Sequence, residues 1–247
     1  MRIGFFDSGR GGLSILESVR AHMPEYDYLY YGDTAHVPYG DKSEAEIYAL
    51  TEMGVRTLFE KGVALVIIAC NTASTNTLRR LQEKIILGED RLSQQNILGV
   101  IVPTVEAVGD SGCTNIHLIG TTRTIESGKY HTEFLKHGID LILTQSATPE
   151  LVPLIESGKY DEAYNLLHTH LEERRVREGD IDGLILGCTH YGLLASRIRE
   201  NWKFEVFTQN EIIPYKLQSY LEKHTSMRDS LSQNGEVEYI FTGNSDY

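Results

Sequence analysis

Positive charge is scarce in this chain, with 23 lysines and arginines against 35 aspartates and glutamates and a formal net charge of −12. That balance argues against a broad nucleic-acid surface and offers no long-range pull on an acidic small molecule. An anion site must therefore be local, made from backbone N–H groups and hydroxyls. Long apolar runs are missing too. No stretch approaches the roughly 18–20 residues of a membrane span, so no membrane association is expected. Met1-Arg2 leads straight into Ile3-Gly4-Phe5-Phe6-Asp7 with no long apolar core of a secretion signal. Cysteine is rare, three in 247 residues. An odd, widely spread set argues against a disulfide framework and for a reducing cytoplasm. No His/Cys/Asp grouping has metal-ligand spacing. His168 and His170, two apart, point to different faces of a helix, so no metal is expected.

What is present is the composition of a folded protein, 41% apolar and 23% charged, long enough for one large or two modest α/β domains. Two stretches organise it: Val66-Ile67-Ile68-Ala69-Cys70-Asn71-Thr72-Ala73-Ser74 and Leu184-Ile185-Leu186-Gly187-Cys188-Thr189-His190-Tyr191. In each, an apolar β-branched run ends in a small residue, a cysteine and hydrogen-bonding side chains able to start a helix. A strand that stops at a cysteine sets the thiol at the carboxyl end of a sheet, where open α/β folds bind ligands. The following helix aims its N–H groups there and favours a thiolate or a bound carboxylate. One such cysteine is more often core than nucleophile; two in matching contexts favour function. Cys113, just before its strand and at the opposite sheet end, reads as structural.

The rest of the chain alternates apolar runs with helical periodicity. Strands are expected near 2–6, 28–31, 64–69, 97–101, 116–120, 139–143, 181–186, 204–207 and 237–241, with helices between them. That order calls for parallel sheets covered by helices. Ser43 with Glu46 has capping-box spacing, and Tyr160, Ala163, Tyr164, Leu167 and Leu171 share one helical face. The expected architecture is two parallel-sheet α/β domains with the site in the cleft between them. The first is residues 1–96 plus 209–247 and carries Cys70; the second, 97–208, carries Cys188. The polar stretch 88–96 is the expected crossing.

Asp7 ends the first strand and should lie near Cys70, where a carboxylate could orient a thiol or take its proton; Ser8 reads almost as well as a helix cap. The glycines at 9, 11 and 12 lack both the Gly-Lys-Ser/Thr ending and the Gly-x-Gly-x-x-Gly spacing, so a nucleotide site is weakly supported. His190, two residues after Cys188, can act as acid or base or hold the thiol in its reactive state. Glu150 is by position an ordinary first-turn acid.

With these residues in view, the chain resembles the glutamate racemases of the aspartate/glutamate racemase superfamily. The resemblance rests on Asp7-Ser8-Gly9 with Gly11-Gly12-Leu13-Ser14, Gly32-Asp33-Thr34-Ala35 with Pro38-Tyr39-Gly40, Ala69 to Ser74, Gly120-Thr121 to Thr124, and Gly187 to Tyr191. It implies a racemase that needs no cofactor, with two α/β domains and the active site between them. It implies that Cys70 serves D-glutamate and Cys188 L-glutamate, with Asp7, His190 and Glu150 assisting. It also implies substrate contacts from Ser8, Tyr39, Gly40, Asn71, Thr72, Thr121, Thr124 and Thr189. The D-glutamate would feed peptidoglycan synthesis in a bacterial cytoplasm. A small-molecule substrate, glutamate, is thus the expected partner, without nucleic acid or membrane; a homodimer is left open. Arg10, Arg123, Gly192 and Thr208-Gln209-Asn210 depart from the family's pattern, and Arg10 could either block the cleft or add a carboxylate contact. Two readings compete: the same two-cysteine site acting on aspartate or another small acid, and a catalytically silent binding or regulatory homologue.

Overall fold

In the computed structural model, which describes residues 1–88 and 95–243, the chain builds two fully parallel sheets. The first half runs β1 (Arg2–Asp7), α1 (Leu13–His22), β2 (Tyr28–Gly32), a 3-10 turn (Tyr39–Asp41), α2 (Glu44–Glu60), β3 (Val63–Ile68), α3 (Asn71–Leu81) and β4 (Asn96–Gly99). It continues through α4 (Ile101–Ser111), β5 (Asn115–Gly120), α5 (Thr122–Glu126), α6 (Lys129–Lys136), β6 (Ile142–Ala147), α7 (Leu151–Glu156), α8 (Tyr160–Glu178) and β7 (Gly183–Gly187). A 3-10 turn (Thr189–Leu194), α9 (Ala195–Asn201), β8 (Glu205–Phe207), α10 (Gln209–Lys223), α11 (Thr225–Ser230) and β9 (Val237–Phe241) follow.

Strand order is β4-β3-β1-β2-β9 in one sheet and β6-β5-β7-β8 in the other. Side chains alternate faces along a strand, and both faces of β1, β2, β3 and β7 are buried, which is why these strands read as apolar runs. Ile3, Phe5, Tyr28 and Tyr30 pack with α1 and α10, while Phe6, Leu29 and Tyr31 pack with α2 and α3. In the second sheet Leu184 and Leu186 face one cluster and Ile185 the other. The capping box at the start of α2 is formed: Ser43 Oγ accepts from the Glu46 N–H and Glu46 accepts from the Ser43 N–H. Ala163, Tyr164, Leu167 and Leu171 are buried along α8, whereas Tyr160, at its first residue, is exposed.

Two expectations change. The strand near 97 does not open the second series; Asn96–Gly99 pairs with Leu65–Ile68 and is the edge of the first sheet. The chain therefore changes sheet after Gly99. Residues 89–94 of the polar stretch named as the crossing lie outside the described residues. The strand expected at 139–143 lies at Ile142–Ala147; Ile139 and Leu141 pack into the core ahead of it. After β8 the chain returns: α10 packs on α1, and β9 pairs with β2 from Tyr28↔Val237 to Gly32↔Phe241. Thr242, just past β9, donates to the buried Asp33 carboxylate at 2.6 Å, and the Tyr39 hydroxyl donates to the same carboxylate at 2.7 Å.

Each sheet has one point where the connections switch direction: between β1 and β3 in the first, between β5 and β7 in the second. Adjoining loops diverge there and leave a crevice at the strands' carboxyl ends. Asp7 and Cys70 follow from β1 and β3, Thr121 and Cys188 from β5 and β7. Among the described residues no helix is long and apolar enough to cross a membrane.

Candidate active site

The two crevices share one cavity of about 330 Å³. Its walls include Cys70 and Cys188, only 5% and 7% exposed. Of the residues expected from sequence, Ser8, Tyr39, Gly40, Asn71, Thr72, Thr121, Thr189 and His190 also line it. A larger hollow of about 780 Å³ between α3, α4, α6 and α10 contains neither cysteine, so size alone does not mark the chemistry.

Cys70 is the N-cap of α3: its sulfur accepts from the Ala73 N–H (3.5 Å), and its thiol donates to Ser8 Oγ (3.4 Å). Burial, reinforced by the Asp7 carboxylate, nevertheless pushes the Cys70 thiol up to about 12, against the hydrogen bonds of Ser8 and Ala73. Cys70 rests as a thiol. Cys188 sits differently, with Sγ 3.7 Å from His190 Nδ1, while His190 Nε2 lies 3.1 Å from Glu156 Oε1. Burial works against charging His190, yet Cys188, Glu156 and the nearby Asp7 carry its pKa well above the ordinary value. The site is therefore asymmetric: one thiol is kept protonated, the other stands against an imidazole that favours its charged form.

Asp7 does not line the cavity. It is fully buried behind it, near enough to Cys70 and His190 for its charge to act on both. Its Oδ2 accepts from the N–H groups of Gly9 and Gly12, and its Oδ1 has no partner. Burial raises its pKa, against His190 and those two N–H groups. Gly11 has to be glycine for closeness: a methyl there would overlap the Thr189 hydroxyl and come 2.9 Å from the His190 ring.

Polar groups converge from both sheets. Thr121 Oγ1 lies 2.9 Å from Thr72 Oγ1 and 3.0 Å from Thr124 Oγ1, so Thr124 stands behind the wall and supports the two that line it. Tyr130 donates to Asn71 Oδ1 at 2.7 Å, which leaves the buried Asn71 Nδ2 unpartnered beside the cavity. Such an amide is a ready donor to a carboxylate, because a buried donor left unmade is costly. Val37, Pro149, Val152 and Pro153 give one apolar side.

Glu150, the carboxylate expected to assist, does not reach the cavity. Glu150 is the exposed N-cap of α7 and is not a lining residue; Glu156, last residue of the same helix, lines the cavity and holds His190. No local feature of the sequence distinguishes the two. Arg10 neither blocks the cavity nor reaches into it: its guanidinium lies 4.8 Å from the centre of the Phe241 ring. Two other departures meet, since a Cβ on Gly192 would stand 3.1 Å from Asn210 Oδ1.

The Asp/Glu/hydantoin racemase family model matches residues 13–213. A glutamate racemase of Ruegeria pomeroyi is 35% identical, the match covering 98% of this chain and 92% of that protein. The crystal structure of glutamate racemase from Francisella tularensis in complex with D-glutamate superposes with a TM-score of 0.85 at 27% identity, covering 99% of this chain and 89% of that one. That from Thermus thermophilus, in complex with beta-chloro-D-alanine, gives 0.79 at 33% identity, over 99% and 89%.

Proposed function

This chain belongs to the Asp/Glu/hydantoin racemase family, among its glutamate racemases, and we propose that it interconverts L- and D-glutamate by two-base proton transfer without a cofactor. The observation that carries the proposal is that two buried cysteines, one from each sheet, line the same small cavity. Inverting a carbon centre needs a base on one face and an acid on the other, and cysteine can be either. Cys188, paired with His190, removes the α-proton of L-glutamate; Cys70, held as a thiol, delivers a proton to the opposite face. In the reverse direction the duties exchange. Glu156 holds the imidazole in place and favours its charged form, and Asp7 acts on Cys70 and His190 from behind. Charge developing on the α-carboxylate meets fixed donors: Asn71 Nδ2, the hydroxyls of Ser8, Thr72, Thr121 and Thr189, and the N-terminus of α3. The apolar side suits the substrate's methylenes.

The D-glutamate made would supply peptidoglycan synthesis in the cytoplasm, the role implied by the family. We also propose that the two sheets are separate domains, one carrying Cys70 and the other Cys188, with the chain crossing near residue 100 and again near 208.

The test is solvent exchange. In deuterated water the protein should place deuterium on Cα of glutamate in step with loss of optical rotation. Aspartate and other small acids serve as the panel. Exchange into aspartate but not glutamate would move the substrate, and no exchange into any acid would leave a binding protein.

A further inference from the structure

We propose that Arg123 is a positioning residue that latches the two sheets together across the cavity and sets how often the cavity opens. The 3-10 turn Tyr39–Asp41 belongs to the first sheet and supplies three lining residues. It faces α5, from the second sheet, with almost nothing between them: a Cβ on Gly40 would stand 3.2 Å from Thr121 Cβ. Arg123, the second residue of α5, reaches over this contact, and its Nε donates to the backbone carbonyl of Lys42 at 2.9 Å. Lys42 immediately ends the turn. Glu126, 3.4 Å from the other end of the guanidinium, keeps the fork oriented.

With the turn held down, the sulfurs are nearly sealed. Parting of the turn and α5 would widen the way to them, because the turn supplies three of the lining residues. The Lys42 carbonyl at the end of the turn, tied to α5 by the Arg123 side chain, is an obvious point for that parting. The hydrogen bond is made to backbone, so it does not depend on the lysine side chain, and it would act whatever reaction the cavity performs. In a reaction cycle it would shield the site from water while the stereocentre is inverted and must be broken to release product.

Thiol alkylation reads the opening without reference to racemisation. The full chain is treated with iodoacetamide, and modification of Cys70, Cys188 and the partly exposed Cys113 is followed by mass spectrometry. Arg123→Met and Arg123→Gln both remove the positive charge, so any effect of that charge on the thiols is common to them. They differ in one respect: glutamine carries an N–H donor at the position of the arginine Nε, and methionine carries none there. Losing one such bond should speed alkylation of Cys70 and Cys188 roughly two- to ten-fold in Arg123→Met. Arg123→Gln should stay near the parent rate, with Cys113 unchanged in all three proteins. Equal rates at the two buried thiols in Met and Gln variants would overturn the latch. So would a Cys113 that accelerates in step with them, because that is general loosening.

Discussion

Replacing Glu156 by glutamine tests the site at its most specific point. Glu156 Oε1 is 3.1 Å from His190 Nε2, and His190 is almost completely buried, so the carboxylate is one of the contacts that keep the imidazole charged. A hydrogen bond to a charged group is worth about 1.5–3 kcal/mol. The Glu156 side chain is 39% exposed, and solvent screening places it at the low end, about 1.4 kcal/mol or a tenfold loss in kcat/KM. The two enantiomers are equal in energy, so kcat/KM must fall by the same factor in both directions. The sign of the pH effect follows from the direction of the shift. The folded pKa of His190 is raised, so its proton is present below that value and leaves as pH rises through it. Removing a contact that raises it should move the alkaline limb of kcat/KM to lower pH. Glu150→Gln, at the other end of the helix, should leave rate and limb unchanged. Polarimetry of both variants across pH decides the matter. A Glu156→Gln protein within twofold of the parent with an unmoved limb, or an equal loss in Glu150→Gln, would refute the reasoning.

Cys70→Ser and Cys188→Ser should each lower turnover by about 10³-fold or more, the scale of an acid or base, while glutamate binding persists by calorimetry; full activity in either would end the two-base assignment. Gly11→Ala should cost at least about tenfold in kcat with a thermal midpoint little changed, because the added methyl displaces Thr189 and His190 rather than core. Tyr130→Phe frees Asn71 Oδ1 and should raise KM about three- to tenfold through loss of one hydrogen bond between the sheets, seen in initial rates. Asp27 is buried, yet the Glu236 N–H, the Ser232 side chain and both Asn234 donors outweigh burial and hold its pKa at about 2. Its folded value is below the unfolded one, so its stabilisation is complete above about pH 4 and disappears toward pH 2. Urea titrations should show Asp27→Asn less stable than the parent at pH 7 and the difference closing at pH 2.

The sequence made the cysteines legible because the signal is local: a buried strand must be apolar, it must stop, and the next residues must satisfy a helix start. The same logic singled out Asp7 and His190, whereas the threonines came only from the resemblance to the family. It could not choose between Glu150 and Glu156. They are separated by about one and two-thirds helical turns, and which of them faces His190 depends on how α7 packs against the 3-10 turn after Cys188, a contact made over long range. The strand Asn96–Gly99 failed for a related reason. Its residues say that it is a strand, but pairing with β3 is decided by the crossover through α3. At β6 the apolar residues Ile139 and Leu141 fill a core position before the ladder begins, so the run and the strand do not coincide. Arg10 and Arg123 were visible as oddities whose partners, the Phe241 ring and the Lys42 carbonyl, lie far away in sequence.

The pairing of β9 with β2 gives biosynthesis a particular order. Tyr39 is held by Asp33, and Asp33 also accepts from Thr242, 209 residues further along. During translation the loop bearing Tyr39 leaves the ribosome early, while β2 waits as an unpaired edge open to other chains. The carboxylate that holds Tyr39 thus acquires its Thr242 donor only when one of the chain's most distant strands arrives.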